Sequence, residues 1–167
     1  MHDKINNEYL DMLSREKISE FNEFRLKNLT FRPNLSGQDF SRKDLTNAYL
    51  NGAICVKTNF NNCILEKTNF VQAELNGSNF ESADLTETLF MYAEMKDCRL
   101  INCNMNKTNF MWANLQNSDL AGSKLDGTIF IEAYLQNTNL DNLKIENAFI
   151  KFAKLGNGED RVNKLLK

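Results

Sequence analysis

Side chains able to do acid–base, nucleophilic or metal chemistry are scarce in this chain. The one histidine, His2, lies at the extreme N-terminus, which leaves a histidine general base, a Cys-His pair and a histidine metal site without parts. Four cysteines remain, Cys55, Cys63, Cys98 and Cys103, and the last two, five residues apart, would hold a metal only if their thiolates converged. Carboxylates are plentiful, but 22 acidic residues are interspersed with 20 basic ones, the pattern of a solvated surface rather than a catalytic pair. The sequence therefore predicts no catalytic residue, no metal and no cofactor.

The elements that carry these residues explain why. From Leu35 to Leu155 every fifth residue is apolar, at 25 successive positions, beginning Leu35, Phe40, Leu45, Leu50, Cys55 and Phe60. Two residues before each centre the side chain is Ala, Ser, Thr or Cys at 21 of the 25 places. Period five matches neither helix nor flat strand, so the chain has to bend once per repeat, with a large and a small residue pointing inward on each short side. Cys55, Cys63, Cys98 and Cys103 all fall in inward registers, no two of them twenty residues apart, and are expected as buried free thiols.

A longer period sets the number of sides. Ala recurs every twenty residues from Ala53 to Ala153, Thr from Thr68 to Thr128, and Phe from Phe70 to Phe130. Twenty residues per turn and five per side make a square all-β solenoid, its layers joined by parallel bridges about 4.8 Å apart over a rod of roughly 30 Å.

Units such as Ala83-Asp84-Leu85-Thr86-Glu87, Thr108-Asn109-Phe110-Met111-Trp112 and Ser118-Asp119-Leu120-Ala121-Gly122 resemble those of the pentapeptide-repeat family. That resemblance implies a right-handed quadrilateral parallel β-helix. Glu20-Phe21-Asn22-Glu23-Phe24-Arg25 is similar to the lead-in before many bacterial arrays of the family. Some members are DNA mimics that engage type II topoisomerases such as gyrase and protect them from quinolones, and residues 38–45, Gln38 to Leu45, are similar to the opening of those members. A topoisomerase is thus the alternative partner. A duplex mimic needs a dense one-signed surface, whereas Lys57, Lys67, Lys96, Arg99, Lys107, Lys124 and Lys144 interrupt the acids here, and the array has no inserted loop.

Three segments are expected: an N-terminal helical cap over 1–32, the repeats over 33–157 and a C-terminal tail over 158–167. The first contains helical stretches with Ile5, Leu10 and Leu13, then Ile18, Phe21 and Phe24, Ser14 serving as N-cap of the second. It would cover the open edge of the first coil. The break at Gly156-Asn157-Gly158 precedes one or two helical turns carrying Val162, Leu165 and Leu166. Net charge −2 and a pI near 5.5 argue against nucleic acid and anionic membranes as partners. With no run of 18 apolar residues and no signal-peptide core, a cytoplasmic location is expected, and reduced thiols suit it.

One side stands apart. Around the centres Leu50, Phe70, Phe90, Phe110, Phe130 and Ile150, the nominally outward positions hold Tyr49, Val71, Leu89, Met91, Tyr92, Met111, Trp112, Ile129, Ile131, Phe149 and Phe152. Stacked, they form an apolar stripe larger than soluble monomers leave in water. The sequence thus predicts a non-enzymatic interaction module with its interface at Val71, Leu89, Met91, Tyr92, Met111, Trp112, Ile129, Ile131, Phe149 and Phe152. A second copy is the first partner expected; an unidentified protein, or cover by the protein's own termini, are the others.

Overall fold

Each pentad folds as three extended residues and a tight corner. The residue two after the centre takes positive φ, as at Arg42 (63°), Lys57 (55°), Glu87 (57°) and Trp112 (56°). The amide of the next residue then returns to the carbonyl of the centre, as Ala73 N–H does to Phe70 O at 3.0 Å. A positive φ at the third turn residue is the demand of a type II turn, and here it recurs whether or not glycine is available. In the computed structural model, which describes residues 2–140, 143 and 147–156 and the side chains from Glu8 onward, four such corners close one square coil.

Successive coils pair in parallel. The residue before each centre bridges the residue twenty further on, from Asn34 with Ile54 to Tyr134 with Lys154. We number the sides by their first centres: side one from Leu35, side two from Phe40, side three from Leu45, side four from Leu50. At Gly127 the amide reaches Asn147 O, one residue beyond the usual partner, and regular pairing resumes at Ile129 with Phe149. Phe149 and Phe152 therefore stay on side four.

The interior is an aromatic and aliphatic column. On side four the rings of Phe70, Phe90, Phe110 and Phe130 stack at 5.1–5.2 Å with planes 2–3° apart. Phe60 and Phe80 stack on side two, opposite, and meet the first column edge-on, Phe60 to Phe70 at 5.6 Å. The small inward residues add a second tie. Thr68, Thr88, Thr108 and Thr128 each donate a hydroxyl to the carbonyl of a centre in the preceding coil, Thr88 to Leu65 O at 2.7 Å for example. Serine and cysteine do the same, so among the described residues the buried side-chain polar atoms of the column are satisfied.

Helix α1 (His2–Ser14) and helix α2 (Ile18–Lys27) sit on the open edge of the first coil. Their side chains take the place of a missing coil. The Tyr9 hydroxyl accepts from Asn34 N–H at 3.0 Å and donates to Asn34 O at 2.9 Å. Asn22 accepts from Tyr49 N–H at 2.8 Å and donates to Asn47 O at 2.9 Å. Arg25 Nε and Nη2 donate to Tyr49 O at 3.0 Å and Asn51 O at 2.8 Å. Phe21 and Leu13 close the bottom of the core. Burial pushes the Tyr9 hydroxyl pKa up and the Arg25 pKa down.

Two expectations need correction. Ser14 is the last residue of α1 and donates back to Asp11 O, rather than capping α2. The reason is a C-terminal turn in which Glu16, at φ 58°, donates to Leu13 O while Lys17 N–H donates to Met12 O. In the first coil, where the sequence has no small residue at 38 and 43, Gln38 is exposed and Lys43 half-buried, its ammonium 3.8 Å from Glu16. Second, of the covers weighed for the stripe, the N-terminal one is not supplied by α1 and α2, which lie on the coil edge. The expected C-terminal helical turns lie outside the described residues. Among those described, no helix is long and apolar enough to cross a membrane.

Candidate protein-binding face

Of the residues weighed first for chemistry, the four cysteines lie in the interior as core side chains. Cys98 and Cys103 occupy the small inward register on adjacent sides, and their thiols donate to Leu75 O at 3.1 Å and Phe80 O at 2.9 Å. Cys63 likewise donates to Phe40 O. Burial pushes the Cys63, Cys98 and Cys103 thiols up to about 12, and Cys55 higher still, which makes them poor nucleophiles and poor ligands. No group of three or more potential metal ligands occurs among the described residues.

Side four carries the feature that distinguishes this surface. Its outward residues fall into three columns along the rod. The position before each centre holds Tyr49, Asn69, Leu89, Asn109, Ile129 and Phe149; the one after holds Asn51, Val71, Met91, Met111, Ile131 and Lys151; the corner holds Gly52, Gln72, Tyr92, Trp112, Glu132 and Phe152. In the four layers from Phe70 to Phe130, eight of these twelve outward positions are apolar and one, Glu132, is charged. Side three, over its four layers from Leu65 to Leu125, has seven charges in the equivalent positions.

The fold brings the ten residues of the sequence-derived interface onto this face, with two degrees of exposure. Tyr92 (49% exposed), Trp112 (37%), Phe149 (58%) and Phe152 (68%) stand out from it. Val71, Leu89, Met91, Met111, Ile129 and Ile131 are half-buried, because neighbouring layers cover their flanks. The corner rings of Tyr92 and Trp112 stack at 4.8 Å with planes 12° apart. Asn69 and Asn109 turn inward on their own chain, accepting from Val71 and Met111 N–H, so the polar interruptions of the stripe are occupied locally. The result is a flat, nearly uncharged strip about 20 Å long.

Sequence reasoning missed the lower end of this strip. Leu29, 76% exposed, and half-buried Phe31 precede the array, and Arg32 Nε donates to Gly52 O at 2.7 Å, extending the corner column downward. Counting back one pentad from Leu35 would have placed Thr30 at a side-four centre, but a threonine there ends the apolar run that defines the register.

Comparison with known proteins agrees with the geometry. The profile described as pentapeptide repeats (8 copies) matches residues 34–66 and 53–90, and that described as pentapeptide repeat region matches 93–161. The chain belongs to the pentapeptide-repeat family. Among solved structures, full-length QnrB1, a plasmid-mediated fluoroquinolone resistance protein, is similar at 16% identity over 80% of this chain and 76% of its own, with a TM-score of 0.52. A pentapeptide repeat protein of the Arabidopsis thaliana thylakoid lumen is 24% identical over 70% of this chain and 74% of its own, TM-score 0.28. HetL, involved in heterocyst differentiation regulation in the cyanobacterium Nostoc sp. strain PCC 7120, is 21% identical over 74% and 77%, TM-score 0.30. No curated protein sequence matches. The first of these structures supports the right-handed β-helical fold and no more than the fold.

Proposed function

We propose that this protein is a non-enzymatic interaction module, placed in the cytoplasm, that binds through side four, and that the first occupant of that face is a second copy of the chain. One observation carries the reading: side four has a single charge in twelve outward positions where side three has seven. An uncharged flat surface is best matched by another of the same kind, and a second copy supplies it by symmetry. Stacked coils hold the contact residues before binding, so little ordering entropy opposes association. With antiparallel rods related by a two-fold axis through the layer of Phe110, Trp112 meets its own copy. Tyr92 then faces Glu132, and its phenol can donate to that carboxylate.

Light scattering after size exclusion tests this on the natural chain and on Trp112→Glu. A natural dimer that becomes a soluble monomer on substitution supports the reading. A natural monomer, or a dimer indifferent to the substitution, removes it.

The fold shared with a fluoroquinolone resistance protein over 80% of this chain favours a second reading, binding to gyrase. Against it, acids and bases alternate on the outer sides, as in the Arg99–Glu81 pair at 2.7 Å and the Lys107–Glu87 pair at 3.6 Å. It is dropped if a molar excess leaves gyrase supercoiling, and its inhibition by a quinolone, unchanged.

A further inference from the structure

Below Tyr92, where the helical segment meets the first two coils, a recess of about 690 Å³ opens on the rod. Its origin is local. The corner column reads Arg32, Gly52, Gln72, Tyr92, and the missing side chain at Gly52 leaves a slot, since a Cβ there would meet nothing nearer than Arg32 Nε at 3.9 Å. Asn51 and Gly52 form the floor, Gln72 and Tyr92 the upper wall, and Leu29 to Arg32 the lower one.

The groups facing this slot are of three kinds. The side-chain amides of Asn51 and Gln72 and the hydroxyls of Thr30 and Tyr92 make no hydrogen bond within the described chain. Arg25, 4% exposed, lies behind them, bonded to the carbonyls of Phe31, Tyr49 and Asn51, and among the described residues no carboxylate stands within 4 Å of it. Arg32 is half exposed and is balanced by Glu74 at 2.8 Å, so the lining as a whole retains the positive charge of Arg25. Beside the charge, Leu29 and Phe31 offer an apolar ledge.

A buried cation whose partners are all neutral carbonyls is a standing attraction for an anion that can reach it. The free side-chain amides of Asn51 and Gln72 each carry a donor and an acceptor, the pairing that the backbone of an extended peptide requires. We propose that the recess binds an extended peptide segment carrying an acidic side chain next to an apolar one, the carboxylate meeting Arg32 and the field of Arg25, the apolar group lying on Leu29 and Phe31. The recess lies at the lower end of side four and shares Tyr92 with the stripe, but its lining does not include Trp112 or the layers above it.

The test uses the full chain, labelled with ¹⁵N and titrated with N-acetyl-Leu-Asp-Ala-amide, with its Asn counterpart and with inorganic phosphate. Saturable shifts of the Asn51 and Gln72 side-chain amides and of Arg32 Nε–H are expected with the acidic peptide, and about tenfold weaker binding of the neutral one. Gly52→Asn, which keeps a residue tolerant of positive φ while filling the slot, is expected to abolish these shifts, and Arg32→Gln to weaken binding about tenfold. Trp112→Glu is expected to bind as the natural chain does, which separates this site from the self-association contact proposed around Trp112. Equal response to both peptides, a response to phosphate alone, indifference to Gly52→Asn, or loss of binding in Trp112→Glu would each overturn the proposal.

Discussion

Tyr92 and Trp112, twenty residues apart, stack their rings at 4.8 Å on the corner of the rod, and both do so from a backbone with φ near 60°. Left-handed backbone is a costly place for a bulky side chain, by roughly 1–2 kcal/mol, and an aromatic stack returns about 0.5–1.5 kcal/mol. The two terms nearly cancel, so stability alone gives little reason for tryptophan at this corner. Trp112→Asn should therefore leave the unfolding free energy within about 1 kcal/mol of the natural chain while abolishing the self-association proposed for side four. Chemical denaturation and light scattering on the same sample check both halves.

The thiols carry a pH dependence whose sign follows from their burial. Their folded pKa values lie above the ordinary 9.0, at about 12 for Cys63, Cys98 and Cys103, so the folded state holds these protons more tightly than the unfolded one. Their contribution is fully present below pH 9 and is lost as pH rises from there toward 12. Each such thiol should lower stability by up to about 1.4 kcal/mol per pH unit across that window. Denaturation midpoints from pH 8 to 11 are expected to fall for the natural chain and to fall less for the Cys98→Ser, Cys103→Ser double variant, whose hydroxyls can take the same carbonyl partners. A thiol reagent should label the natural chain only as fast as it unfolds.

The edge contacts of the N-terminal helices predict a specific cost. Tyr9→Phe keeps the packed ring but leaves Asn34 N–H and C=O without the hydroxyl that serves both. A loss of about 1–3 kcal/mol is expected in urea unfolding. Hydrogen exchange should quicken at Asn34 before it does at the equivalent Asn114, whose N–H is bonded to Ala93 O within the stack at 2.9 Å.

Some of these relationships are legible in the amino-acid sequence and others are not. The five-residue and twenty-residue periods, the inward column from Leu35 to Leu135, the buried thiols and the grouping of Val71, Leu89, Met91, Tyr92, Met111, Trp112, Ile129 and Ile131 on one side follow from register, because a coil of fixed length returns each residue to the same side. Register carries no information about how far a side chain stands out from its layer. It could not separate exposed Trp112 from half-buried Met111, which differ only in occupying a corner and a flank. Nor could it see the Schellman turn that ends α1 at Ser14, or the way Tyr9, Asn22 and Arg25 replace a missing coil. Those contacts join residues about 25 positions apart across a change from helix to solenoid, where no period connects the two segments. The sequence by itself determined the coil and the side on which its apolar surplus falls, through local turn geometry repeated without interruption. The tertiary structure decided what closes the first edge, which residues of the stripe reach solvent, and where Gly52 opens a recess over Arg25, since each depends on side chains meeting across layers.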